Sequence, residues 1–157
     1  MKPKNGEHPL GDKGQLVCLG LFLIIWVGDS FFLRKSTFLS QYVALSIRLV
    51  FLGFTLITAV YLLKSGHAVT GREQQPNDVV STGAFRYVRH PLYLASLLTY
   101  LGLTISTMSA GSFILLVGIL GFHNYIASYE EKRLEAKFGE EYGRYKEKTG
   151  KWIPKIW

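Results

Sequence analysis

Residues 92–127 read LYLASLLTYLGLTISTMSAGSFILLVGILGFHNYIA and contain no Lys, Arg, Asp or Glu. In the middle of this stretch, residues 106–111 are mostly small and polar, a composition that favours a turn. A helix that crosses the ~30 Å hydrocarbon layer of a bilayer needs roughly 20 apolar residues. The stretch therefore predicts two rather short membrane helices, 92–108 and 111–127, joined as a tight helical hairpin.

Two further apolar runs precede the hairpin, at 14–33 and 41–63, and each is long enough to span a bilayer. Hydrophobic residues make up 48% of the 157-residue chain and charged residues only 18%, which is typical of membrane proteins. We predict an all-α integral membrane protein with four transmembrane helices, forming a single domain over residues 1–157. Because so short a chain has no room for a separate catalytic module, an active site must be built from these helices.

The first apolar run has the basic flank of a secretory signal peptide, but it is too long for the apolar core of one. Residues 28–31 also lack the small-x-small pattern of a cleavage site, so we expect a retained anchor. The single cysteine, Cys18, excludes a disulfide framework and a cysteine-based metal site. We expect no metal cofactor.

Most basic residues fall on segments that four membrane crossings place on one side. They are Lys2, Lys4, Lys13, Lys64, Arg72, Arg86, Arg89 and eight further Lys or Arg from Lys132 to Lys155. Only Arg34 and Lys35 lie in a loop on the other side. Because basic flanks concentrate in the cytoplasm, we predict cytoplasmic termini and a cytoplasmic connector between the second and third helices. The formal net charge of +7 then faces anionic lipid rather than nucleic acid.

Two ionisable residues lie inside predicted spans, Asp29 in the first and Arg48 in the second. At 1.5 Å per residue their depths agree to within roughly 5 Å. An intramembrane charge can mark a functional site. Because both residues lie far from the polar connector, we expect instead an ion pair that joins the two helices.

Beyond Ser128 the chain becomes charged, while Leu134, Phe138, Tyr142 and Tyr145 recur at helical spacing. This pattern predicts a C-terminal amphipathic helix that is broken or kinked at Gly139. We expect the helix to lie along the cytoplasmic interface. The side chains that would pin it there are Trp152, Ile153, Ile156 and Trp157.

The motif Arg89-His90-Pro91-Leu92-Tyr93 stands where the third helix begins. Proline suits the first helical position because it has no N–H to leave unpaired. The unpaired N–H groups that follow, together with the helix dipole, would bind a carboxylate or a phosphate. In the alternative interpretation, the arginines are ordinary basic flank and the tyrosines an interfacial belt.

The acidic pair Glu130-Glu131 follows the fourth predicted span, on the same side as His90. In a hairpin the start of one helix and the end of the other are neighbours. An anion-binding helix start beside two carboxylates would suit a zwitterionic ligand. By itself, an acidic pair on an amphipathic helix is more often a solvated face.

Residues 79–154 resemble the isoprenylcysteine carboxyl methyltransferase family, which is related to the membrane phospholipid methyltransferases. The resemblance rests on Arg-His-Pro-x-Tyr at 89–93, Glu130-Glu131, Phe-Gly-x-x-Tyr at 138–142, Tyr145, and Trp152-Ile153-Pro154. It implies a helical bundle whose cytoplasmic end and tail enclose S-adenosylmethionine. The cofactor would be bound by His90, Pro91, Leu92, Tyr93, Glu130 and Glu131. A lipophilic acceptor (a lipid, a small molecule or a prenylated chain) would enter from the bilayer.

Methyl transfer mainly requires positioning of the acceptor. Arg89, or Arg86, would orient a carboxylate acceptor, whereas a thiol or an amine needs a base, for which His90 is the candidate. His67 and His123 are weaker candidates. This chain has Ala84 where the family often has Pro, and Ala95 where it often has Gly. Ala95 adds a methyl group at a position where the backbone would approach the cofactor.

Two other functions fit parts of the pattern. An NADPH-dependent sterol-type reductase family has a similar Arg-His-Pro motif and tail, although the short bundle leaves little space for a dinucleotide. A membrane scaffold that has kept the fold without turnover is the non-enzymatic alternative.

Overall fold

The computed structural model describes residues 11–70 and 78–155, and within them it is almost entirely helical. The α-helices are α1 (Gly11–Val27), α2 (Leu45–Thr70), α3 (Pro91–Thr107), α4 (Ala110–Phe138) and α5 (Glu140–Lys148). A π-helical turn, Gly28–Leu33, continues α1, and 3-10 turns occupy Phe38–Gln41 and Gly83–Arg86. Lys2, Lys4, Arg72, Ile156 and Trp157, which entered the predictions above, lie outside the described residues.

Three helical segments are long and apolar enough to cross a membrane: Lys13–Leu33, Leu45–Val69 and Ala110–Phe138. Helix α3 is also apolar but has only 17 residues, about 25 Å at 1.5 Å per residue. Large apolar side chains on α1, α2 and α4 are exposed, as lipid-facing side chains are; Ile24, Val50 and Ile114 are each more than 70% exposed. The predicted all-α membrane architecture is confirmed. Which end faces the cytoplasm stays a prediction from the basic flanks.

The largest differences between the helix bounds and the predicted spans are in α2 and α4. Helix α2 begins at Leu45 rather than at 41 and continues to Thr70 rather than ending at 63. Helix α4 does not end with its apolar stretch but runs on to Phe138, so Glu130 and Glu131 lie within it. The reason is propensity: residues 130–138 are rich in Glu, Lys, Arg, Leu and Ala, all good helix formers. Gly139, with φ of +54°, ends α4 and separates it from α5, which confirms the predicted break.

The four long helices run side by side in alternating directions. Helix α2 packs along α3, with Gly102 of α3 against Thr55 of α2. At the other end of this pair, Leu92 of α3 lies against Gly66. Helix α1 crosses back along α4 and also contacts α3, where the Trp26 indole donates to the Leu103 carbonyl at 2.9 Å. One end of the bundle therefore holds the starts of α1 and α3, the end of α2 and the later part of α4.

The predicted ion pair between Asp29 and Arg48 is wrong, because each charge is satisfied separately. The Asp29 carboxylate accepts from the backbone and hydroxyl of Ser36 and, at 2.5 Å, from the Ser109 hydroxyl. The Arg48 guanidinium donates to the carbonyls of Val43 (3.1 Å) and Ser106 (2.7 Å). Serine hydroxyls and helix-end carbonyls, which carry no signal in the sequence, replace the expected partner.

Gly102 tests the packing of α2 on α3. A Cβ at this position would overlap the Thr55 side chain, whereas a Cβ at Gly118 of α4 meets nothing within 4 Å. We expect Gly102→Val to destabilise the protein by about 1–3 kcal/mol through overpacking. Thermal melting in detergent should show a clear loss for Gly102→Val and little change for the control, Gly118→Val. Equal melting temperatures would contradict this packing.

Ser109 tests the polar cluster at the α3–α4 turn. Its buried hydroxyl donates to Asp29 and accepts from the Ser112 backbone N–H at 3.1 Å, which caps the start of α4. We expect Ser109→Ala to cost about 1–2 kcal/mol, the usual loss for an N-cap. The control is Ser96→Ala inside α3, where the hydroxyl donates only to its own helix. A larger loss for the control in the same melting assay would exclude the capping role.

Candidate active site

The Arg89–Tyr93 motif forms the entry to α3. His90 occupies the N-cap position and Pro91 the first turn, as the sequence predicts. The His90 side chain forms no capping hydrogen bond with its own helix. It points across the hairpin instead, toward the acidic pair of α4.

A buried cluster of Arg89, His90 and Glu131 links the two helices. The Glu131 carboxylate oxygen Oε1 lies 2.9 Å from Arg89 Nε and 3.1 Å from His90 Nε2. All three side chains are 10% exposed or less. In this low-dielectric setting the carboxylate needs the Arg89 cation and the hydrogen-bonding partners around it, since an unpaired buried charge is costly. The hairpin thus brings together residues that are 41 and 42 positions apart, as predicted.

Glu130 faces the same region with a second carboxylate. Its Oε1 accepts from the Tyr93 hydroxyl at 2.6 Å, and its Oε2 lies 3.8 Å from His90 Nδ1. The Tyr93 ring stacks on His90, with ring centroids 5.7 Å apart. Both imidazole nitrogens of His90 therefore face carboxylates.

The C-terminal tail closes over this cluster. The Arg89 backbone N–H donates to the Gly150 carbonyl at 2.9 Å, and the Arg89 guanidinium donates to the Thr149 carbonyl. Trp152 packs beside His90, with ring centroids 5.8 Å apart, and its indole N–H donates to Asn124. These contacts of Thr149, Gly150 and Asn124 were not predicted from the sequence, because backbone carbonyls and single amides carry no motif.

The aromatic face of the tail helix packs against the protein rather than along the membrane interface. Tyr142 is 2% exposed, and the Tyr145 hydroxyl donates to the Phe85 carbonyl at 2.7 Å. Burial, together with the nearby Glu131 carboxylate, raises the pKa of both phenols above their ordinary value. Both therefore remain protonated donors. Of the expected interfacial anchors, Trp152 instead faces His90 and Ile153 is exposed.

His123 joins the site from the middle of α4. Its ring is buried and lies edge-on to Tyr93, with centroids 5.3 Å apart. Nδ1 bonds to the Ile119 carbonyl at 2.9 Å, which assigns the proton to that nitrogen. In the part of the chain that the structure describes, Nε2 is buried without a hydrogen-bond partner. A buried acceptor of this kind is costly unless a ligand uses it.

Several predicted residues lie away from the cluster. Arg86 and His67 are exposed, and neither makes a described contact with it. The side chains of Pro91 and Leu92 face α2 and lie beside Gly66. A ligand at the start of α3 would therefore meet only the backbone of these two residues. Ala95 packs with Ala59, Leu62 and Ala84 between α2 and α3. The extra methyl group at Ala95 therefore fills a helix contact rather than the space beside Glu130.

The two glutamates should differ in their effect on stability. Glu131→Gln leaves the buried Arg89 without its carboxylate and should cost about 3 kcal/mol or more. Glu130→Gln keeps an acceptor oxygen for the Tyr93 hydroxyl but loses the charge that strengthens this hydrogen bond, and it should cost about 1 kcal/mol. Thermal melting of the two isosteric variants in one detergent gives the comparison. A smaller loss for Glu131→Gln than for Glu130→Gln would contradict the assignment of the buried ion pair to Glu131.

The sequence that forms this site matches a known protein family. The family model described as phospholipid methyltransferase matches residues 41–141, nearly two thirds of the chain. The matched region contains α2, the Arg89–Tyr93 motif, both glutamates and the start of α5. No curated protein and no solved structure matches the chain significantly. The predicted resemblance is confirmed, and the chain belongs to the phospholipid methyltransferase family.

Proposed function

We propose that the protein transfers a methyl group from S-adenosylmethionine to a lipophilic acceptor at the cytoplasmic face of the membrane. The observation that carries the proposal is the buried contact of Arg89 and His90 with Glu131, beside the Tyr93–Glu130 hydrogen bond. This cluster lies inside the region that matches the family. Members of such families generally use S-adenosylmethionine as the methyl donor.

The residues present fit this donor chemically. S-adenosylmethionine carries a sulfonium, an ammonium, a carboxylate and ribose hydroxyls. The Glu130 carboxylate suits the ammonium or the hydroxyls, because a charge-assisted hydrogen bond is about twice as strong as a neutral one. The backbone N–H groups at the start of α3 suit the carboxylate. The ring nitrogens of His90 face Glu130 and Glu131, so we assign His90 to holding those carboxylates in place. The buried Nε2 of His123, beside the Tyr93 ring, supports the proposal because it offers an acceptor to a ligand hydroxyl or ammonium.

When bound, S-adenosylmethionine supplies a methyl group on a sulfonium sulfur, which an acceptor lone pair takes by in-line displacement. The protein's part is positioning and electrostatics. Glu131 fixes Arg89 and His90 in one geometry, and Trp152 and the tail cover them. This cover reduces access of water and strengthens the electrostatic interactions beneath it.

We infer roles for His90 and His123 that differ from those expected from the sequence, in which His90 is the candidate base. His90 faces two carboxylates, so it is suited to holding charged groups in place. His123 has a buried lone pair on Nε2 and can accept the proton that an amine or thiol acceptor releases. Arg89 is engaged with Glu131 and the tail, and we assign it to positioning rather than to direct contact with a carboxylate acceptor. The family match supports methyl transfer over NADPH-dependent reduction.

Ligand protection tests the proposal. S-adenosylhomocysteine should raise the melting temperature of the detergent-solubilised protein, and NADPH should not. Tyr93→Phe removes the hydroxyl bonded to Glu130 and should weaken S-adenosylhomocysteine binding about two- to tenfold, the range for one hydrogen bond. Tyr100→Phe is the matched control, since Tyr100 is buried on the same helix within an apolar cluster. Protection by NADPH alone, or by neither ligand, would exclude the proposed donor.

A further inference from the structure

A polar cleft lies at the opposite end of the bundle from the Arg89 cluster. Its volume is about 250 Å³, and it opens between the end of α1, the start of α2 and the end of α3. Two arginines, Arg34 and Arg48, line it together with the hydroxyl residues Thr37 and Ser40. Phe31 forms its apolar edge. None of these residues touches the candidate active site, which is built at the other helix ends.

The charge in this cleft is not neutralised by protein. The Arg48 guanidinium is held by two backbone carbonyls, which orient it without cancelling its charge. A guanidinium has five N–H donors, so these two bonds leave further donors of Arg48 for a ligand. The nearby acid, Asp29, is bound by Ser36 and Ser109. Within residues 11–70 and 78–155, no carboxylate forms an ion pair with either arginine.

The backbone around the cleft departs from regular helix. Residues 28–33 form a π-helical turn, and Arg34 follows with φ of +50°, a conformation uncommon for a residue other than glycine. Its N–H donates to the Asp29 carbonyl at 2.8 Å, which holds the turn. This geometry ends α1 and places Arg34 at the cleft. Such π-turns are frequent at functional sites.

The surroundings define the ligand. Phe31, which lines the cleft, is 53% exposed, and Phe32 and Phe38 in the same part of the chain are 80% and 60% exposed, as side chains facing lipid are. The cleft lies at the helix ends, which is the depth of lipid headgroups when the bundle spans a bilayer. Paired guanidinium groups bind phosphate oxygens strongly, and hydroxyls add donors. We propose that this cleft binds the phosphate of an anionic membrane phospholipid, in the leaflet opposite the candidate active site.

Native mass spectrometry of the full chain in detergent tests this site, with phosphatidylglycerol and phosphatidylcholine of identical acyl chains as probes. Wild type should retain phosphatidylglycerol preferentially. Arg34→Gln combined with Arg48→Gln should weaken that binding at least about tenfold, because two charge-assisted contacts are lost. Lys35→Gln is the matched control: it removes a charge from the same loop but does not line the cleft. Its phosphatidylglycerol affinity should stay within about twofold of wild type, the small effect expected of an exposed charge.

Two further measurements separate the possible outcomes. Arg34→Gln alone retains the Arg48 contacts with Val43 and Ser106, so it tests the cleft even if the double variant folds poorly. Inorganic phosphate is titrated in parallel. Equal retention of phosphatidylglycerol by wild type and Arg34→Gln would overturn the proposal, as would protection by inorganic phosphate without any preference for anionic lipid. Protection by S-adenosylhomocysteine should be unchanged in Arg34→Gln, so this site and the proposed methyltransferase function can fail separately.

Discussion

One carboxylate oxygen, Glu131 Oε1, contacts both the Arg89 guanidinium and the His90 imidazole inside a low-dielectric region. Through Arg89 this oxygen is connected to the start of α3 and, by the Thr149 carbonyl, to the C-terminal tail. Three parts of the chain that are distant in sequence thus depend on one buried charge. A buried ion pair of this kind adds little net stability compared with apolar packing, but it is costly to break and it specifies a single arrangement. A single fixed arrangement of charged groups is more useful in a binding site than in a hydrophobic core.

The arrangement also explains how a short set of membrane helices can hold a cluster of charged side chains. A lipid-embedded bundle must satisfy its polar groups internally. Here the charged residues gather beyond the apolar stretch of α4, where the helix continues to Phe138 and the tail folds back over it. The aromatic rings of Tyr93, His123 and Trp152 separate the charged cluster from the apolar contacts between α1, α3 and α4. The same short chain thereby contains both apolar helices that can cross a membrane and a buried cluster of charged side chains.

The sequence predicted those features that depend on the length of apolar runs or on the backbone preferences of single residues. Apolar run length predicted the four helices, Pro91 the start of α3, Gly139 the end of α4, and the hairpin the meeting of His90 with the glutamates. Features that depend on backbone acceptors were not predictable. Asp29 and Arg48 have complementary charges, but the serine hydroxyls and free helix-end carbonyls nearby satisfy them at shorter range. Helical spacing predicts that Tyr142 and Tyr145 share one face of the helix, but it does not predict whether lipid or protein covers that face. The sequence therefore suggested the membrane interface, whereas in the structure Tyr142 is buried and Tyr145 bonds to the connector at Phe85.

Because α4 is one continuous helix, the candidate site is sensitive to insertions and deletions within it. Its 29 residues form one uninterrupted helix, about 43 Å long, from the turn capped by Ser109 past both glutamates. The angular position of Glu130 and Glu131 is therefore fixed by the number of residues that separate them from that turn. Each inserted or deleted residue would rotate the acidic pair by about 100° around the helix axis. Length changes in this family should consequently accumulate in the loops and in the tail beyond Gly139, while the residue count from Ser109 to Glu131 stays constant.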